Sequence, residues 1–185
     1  MRIQARNRIR YLCQAAMIAA LYVVLTELSA MLGLASMTPQ CRLGEALAVL
    51  PLFMPAAVPG LAIGCLITNL LLASPPLDLI LGTLATLLGA VVCRLIGRVW
   101  HTYRLSNLIV ATIPNALANT FLVPIVLQYA YGLQDGYVLL MLGVGAGEVL
   151  SGVVLGVLLA LAIPISVKNR LAAGKHGDEY SMRDL

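Results

Sequence analysis

Apolar residues run along this chain in long, nearly unbroken stretches, separated by short polar or basic intervals. Residues 9–34, 79–96, 105–128 and 137–167 each match the roughly 18 or more apolar residues that carry an α-helix across about 30 Å of hydrocarbon. The interval 42–73 is equally apolar but contains Pro51, Pro55 and Pro59. Proline lacks a backbone N–H and collides with the preceding turn, so this interval predicts two short crossings, 43–54 and 59–73, rather than one straight helix. The first of these is barely long enough to span and needs protein around it.

Composition turns this pattern into a solvent. Of 185 residues, 61% are hydrophobic and 11% charged, too little polar surface to cover a water-soluble domain of this size. Charge then decides the number of crossings. With two crossings between 42 and 73, the cluster Arg94, Arg98 and Arg104 shares a side with Arg2, Arg6, Arg8 and Arg10 and with Lys168, Arg170 and Lys175, so that Arg42 alone faces outward. The expected fold is therefore an all-α integral membrane protein, a bundle of six transmembrane helices with both termini cytoplasmic. Residues 1–168 form the membrane domain and 169–185 a polar cytoplasmic tail. The basic start resembles a secretion signal, but the apolar run 11–34 is too long for one and is expected to remain as the first helix. Trp100, His101 and Tyr103 fall at the inner interface and Tyr129, Tyr131 and Tyr137 at the outer one, as an aromatic belt does.

Several functions lack their chemistry here. The net charge of +4 sits at the ends of apolar segments and not along a polar stripe, which argues against nucleic acid as a partner. Cys13, Cys41, Cys65 and Cys93 lie in separate segments without a paired spacing or neighbouring histidines, so neither a metal site nor a disulfide framework is expected. His101 and His176 lie on the cytoplasmic side, away from the buried acids, and no nucleotide-binding loop or nucleophile–base pair is present. The chain is expected to be a transport subunit without a cofactor, powered, if at all, by a partner.

Polar residues inside the apolar segments are few and each needs a partner or a purpose. Glu27, Arg42, Glu45 and Asn69 lie toward the outer ends of their segments. Asn115 and Asn119 are four apart on one helical face, and Glu148 follows a Gly145-Ala146-Gly147 run roughly 15 Å inside the outer end of the last crossing. These groups converge on the outer half, where an importer captures its solute. Glu148 is the strongest single candidate, because its flanking glycines allow close approach of a backbone or a ligand. Arg42 and Glu45, three apart, can instead pair with each other, and the asparagines can serve as interhelical glue. Glu27 reads as interfacial and Asn69 as packing. Ala15, Ala16, Ala19 and Ala20 form two overlapping small-xxx-small pairs in the first helix, suited to close packing within the chain or against another membrane subunit.

The stretch Arg42-Leu43-Gly44-Glu45-Ala46-Leu47-Ala48-Val49-Leu50-Pro51 resembles the QueT family of substrate-binding S components of energy-coupling factor (ECF) transporters. The likeness continues through Pro55-Ala56-Ala57-Val58-Pro59-Gly60, Asn69-Leu70, Asp78-Leu79-Ile80-Leu81-Gly82-Thr83, Pro114-Asn115-Ala116 and Gly147-Glu148, and so covers nearly the whole chain apart from the polar tail. The resemblance implies a six-helix S component in the cell membrane. Its first-helix alanines Ala15, Ala16, Ala19 and Ala20 would pack on a transmembrane coupling subunit, and two cytoplasmic ATPase subunits would complete the complex. It implies uptake of a queuosine precursor such as 7-aminomethyl-7-deazaguanine. Arg42, Glu45, Asn115, Asn119 and Glu148 would supply the matching donors and acceptors, and residues 35–40 would close over the solute. Which acid meets which end of the ligand stays open, as do an S component for another vitamin-like solute and a membrane scaffold whose polar residues only hold helices together.

Overall fold

A computed structural model describes residues 2–34, 41–100, 104–168 and Leu171. The segment 35–40, His101, Tyr103, His176 and the tail from 172 onward, all of which carried expectations above, lie outside the described residues. The first helix, α1, runs Arg2–Met31. A 3-10 helix follows at Leu43–Leu52, then α2 (Ala57–Leu71), α3 (Pro76–Val99) and α4 (Leu105–Tyr129). The last crossing is α5 (Tyr137–Glu148), a π-helical stretch (Val149–Leu155) and α6 (Gly156–Ala162), which ends before Pro164. Only four to seven residues separate successive segments from the 3-10 helix to α5, the spacing of neighbours that run back and forth through a bundle.

Four helices among the described residues are long and apolar enough to cross a bilayer: Asn7–Met31, Pro76–Val99, Leu105–Tyr129 and Tyr137–Ala162. Leu43–Leu52 and Ala57–Leu71 are apolar but shorter. The two short segments anticipated between the prolines thus exist, with shifted character. The first is ten residues of 3-10 helix, closing at Leu52. Its rise of about 2.0 Å per residue stretches it to roughly 20 Å, against about 15 Å for an α-helix of the same length. The second begins two residues before Pro59, which therefore occupies the first turn, where its missing N–H leaves no intrahelical bond unmade.

The 3-10 helix is the pillar of the bundle. It packs against α1, α2, α3, α4, the π stretch and α6. Leu47 and the following Met54 belong to one core cluster with Ile18, Tyr22, Leu61 and Ala90, while Val49, Leu52 and the following Phe53 belong to a second with Cys93, Leu108, Ala111 and Val157. Its C-terminal end meets two cations: Arg94 donates to the Pro51 carbonyl at 3.5 Å, and the Lys168 ammonium stands 5.8 Å from the Phe53 ring centre. Both cations are buried at the pillar's C-terminal end, the carbonyl end of a helix, which attracts positive charge.

α1 and α2 approach closely because small residues meet. A Cβ on Gly60 would come within 2.8 Å of the Ala15 carbonyl oxygen, and one on Gly64 within 3.0 Å of the Ala19 carbonyl oxygen. Around this core the outer surface is apolar. Met17, Val24, Ile80, Leu139 and Leu158 are all more than half exposed, whereas Thr26, Ser29, Thr68, Thr86 and Ser151 are buried. That inversion of the water-soluble rule places the molecule in lipid.

Candidate functional site

Each wall of the site follows from helical spacing. Asp78, Gly82 and Thr86 recur every four residues on one face of α3, and Asn115, Asn119 and Val123 do the same on α4. Arg42 caps the 3-10 helix and Glu45 sits in its first turn, so both stand at the pillar's N-terminal end. Glu148 is the last α-helical residue before the π stretch, whose wider turn changes the angle at which the helix presents its side chains.

The outer layer is a polar rim. Arg42 Nη2 lies 3.8 Å from Asp78 Oδ2, and its Nη1 donates to Asn69 Oδ1 at 3.5 Å. Asn69 in turn donates to the Asp78 carbonyl at 3.2 Å. From the loop after α4, the Tyr131 hydroxyl donates to Asp78 Oδ2 at 3.2 Å and lies 3.4 Å from Ser74 Oγ. Burial pushes the Tyr131 phenol above its ordinary value, Ser74 pulls it back and Asp78 adds to the rise, so the hydroxyl stays a donor throughout the neutral range. Arg42 therefore pairs with Asp78, not with Glu45.

The inner layer centres on two carboxylates. Glu45 is 2% exposed. Its Oε1 accepts from the Tyr22 hydroxyl and its Oε2 from Asn115 Nδ2 at 2.7 Å. Asn115 stands behind this acid, pressed against α3 where a Cβ on Gly89 would come within 2.5 Å of the Asn115 Cα. Glu148 is 6% exposed and lines the same pocket as Asn119.

Between the layers lies a pocket lined by Arg42, Glu45, Gly82, Thr86, Asn119, Val123 and Glu148. Its empty volume is about 280 Å³ with the solvent at its mouth included, and scarcely more than a water-sized sphere fits between its walls. Two polar atoms of its lining residues, Glu148 Oε2 and Arg42 Nε, are buried without a hydrogen-bond partner, the former 3.2 Å from where a Cβ on Gly152 would stand. Stranding such groups in an apolar bundle is costly, which marks them as atoms held for something else.

The structure thus brings Arg42, Glu45, Asn119 and Glu148 to one pocket and sets Asn115 behind Glu45. Asn69 is not mere packing but part of the rim, and Glu27 stays apart, half-buried on α1 with Oε1 unpartnered. Ala15 and Ala19 face α2 at 7% and 5% exposure, while Ala16 and Ala20 are exposed. Sequence reasoning missed Tyr22, Asp78 and Thr86. Asp78 carried a signal, an acid opening an apolar segment opposite the lone outward arginine; Tyr22 carried none.

Comparison with known proteins agrees with this architecture. No curated protein and no solved structure matches the chain. The family model described as QueT transporter matches residues 12–164, which takes in most of α1, every helix from the 3-10 helix to α6 and every residue of the pocket. A transporter assignment suits a lipid-facing bundle with polar side chains converging on an internal pocket, and the chain belongs to the QueT transporter family.

Proposed function

We propose that this chain is the substrate-binding S component of an ATP-driven ECF importer in the cell membrane, and that its solute is a queuosine precursor, 7-aminomethyl-7-deazaguanine. The observation that carries the reading is the pocket itself: two acids, an amide and an arginine gathered inside an apolar bundle. A guanine-like edge offers adjacent N–H donors to a carboxylate and a carbonyl to an arginine or amide donor, and an aminomethyl cation requires a second acid. Glu148, Glu45, Arg42 and Asn119 supply that set, with Asn115 supporting Glu45.

In this reading six segments cross the membrane and both termini are cytoplasmic, which puts the rim and pocket toward the outside. Ala16 and Ala20 form the exposed half of the alanine motif and offer a close-packing face to a coupling subunit, while Ala15 and Ala19 serve α2. ATP is hydrolysed by two separate cytoplasmic subunits. Because the pocket is tight, a bicyclic ligand must part its walls, and the Arg42–Asp78–Tyr131 rim is the polar part of the outer wall that has to yield.

Titrating the detergent-purified chain while following thermal stability tests the proposal. Selective, saturable stabilisation by 7-aminomethyl-7-deazaguanine is expected, of about 2.7 kcal/mol at a hundredfold excess over Kd, with guanine, riboflavin and biotin as comparators. Stabilisation by a comparator alone would keep transport and overturn the solute. No stabilisation by any of them would overturn the binding role.

A further inference from the structure

The acids around the pocket are not equally free to take a new partner. Glu45 already accepts on both oxygens, from Tyr22 and from Asn115, and neither of those residues lines the pocket. Glu148 keeps Oε2 without a partner although its side chain is 6% exposed. Arg42 commits Nη1 to Asn69 and Nη2 to Asp78 and keeps Nε without a partner. The residues that line the pocket therefore hold one unpartnered acceptor, one unpartnered donor, and a second carboxylate held from behind.

We infer that Glu148 Oε2 and Arg42 Nε form the directional hydrogen-bonding edge of the site, for an N–H donor and an acceptor of a planar amide- or amidine-bearing heterocycle, while Glu45 receives the ligand's cation. Tyr22 and Asn115 are its positioning residues. This assignment rests on the transport reading above.

The reverse arrangement is worse on the geometry. For Glu45 to accept two parallel N–H bonds it would have to fill the remaining lone pair of both oxygens at once, in directions already fixed by Tyr22 and Asn115, each 1% exposed and unable to swing aside. An ammonium is a compact point charge that needs no fixed lone-pair direction, so Glu45 can attract it while keeping both of its donors. Glu148 has the opposite character, a pocket-lining acid with one oxygen that no donor holds.

The test is a set of affinity measurements on the full purified chain with three compounds. They are 7-aminomethyl-7-deazaguanine, its 7-methyl analogue without the ammonium, and its analogue lacking the 2-amino group. In the unmodified chain, loss of either group is expected to weaken binding roughly tenfold or more, as befits a charge-assisted contact. In Glu45→Gln the ammonium should cease to matter while the 2-amino preference stays; in Glu148→Gln the 2-amino preference should vanish while the ammonium preference stays. Exchange of these two patterns, or equal loss of both preferences in each variant, would overturn the assignment. Tyr22→Phe keeps the ring in the core and tests the role of Glu45 should Glu45→Gln fail to fold. It should reduce the ammonium preference and spare the 2-amino preference, and an undiminished ammonium preference would overturn the positioning role. If the unmodified chain binds none of the three, the transport reading falls and the assignment with it; if it binds them with the pattern exchanged, the assignment alone falls.

Discussion

Asp78 is 2% exposed and faces the Arg42 guanidinium at 3.8 Å, so truncating Arg42 strands a buried acid. Arg42→Ala is expected to destabilise the ligand-free chain by up to about 3 kcal/mol, less than a fully orphaned charge because Tyr131 still donates to the same carboxylate. The paired variant Arg42→Ala/Asp78→Ala should recover part of that loss, which thermal unfolding in detergent would show. Gly89 gives a second test at the same scale. A methyl group there meets the Asn115 backbone at 2.5 Å, which cannot swing aside, so Gly89→Ala should cost about 1–3 kcal/mol by forcing α4 from α3. Ligand affinity should fall with it, since Asn115 carries Glu45.

Among elements, the α1–α2 contact separates two uses of one alanine motif. Ala19→Leu adds bulk against the Gly64 backbone and is expected to lower thermal stability of the isolated chain by about 1–3 kcal/mol. Ala16→Leu adds the same bulk on an exposed face and should leave isolated stability unchanged while weakening co-purification with a coupling subunit. Equal stability losses in the two variants would contradict the division of faces. The long crossings were legible in sequence because lipid demands continuous apolar length, and Glu148 stood out because a charge has no cheap place in such a run. The 3-10 geometry of Leu43–Leu52 was not legible. It depends on six neighbouring elements crowding one short segment, and no local pattern reports that. Tyr22 was hidden for a related reason: in an apolar helix a tyrosine reads as packing, and only the fold brings Glu45, twenty-three residues away, to its hydroxyl. The spacing of Asn115 and Asn119 gave them one face, yet Asn115 is pressed against Gly89 of α3 behind Glu45 while Asn119 lines the pocket.

For the molecule as a whole, the charge pattern and the six segments combine into a topology that accessibility can check. Single cysteines at Ser74 and Gly132, in a background without the native thiols, are expected to react with an impermeant reagent on intact cells. Cysteines at Asn7 and Val167 should react only after permeabilisation. Labelling of Asn7 and Ser74 from the same side would contradict the crossing order.

The pillar also constrains how such a protein can be made. Ten residues of 3-10 helix, about 20 Å long and bearing Glu45, are a poor candidate for unassisted partition from a translocation channel into lipid. During synthesis Leu43–Leu52 has to be sheltered until α3 and α4 have emerged, because those helices supply Gly89, Asn115 and the walls that accept the acid. Biogenesis is therefore expected to be late and cooperative, with the segment delivered to the bundle's centre by its neighbours instead of being inserted in its turn.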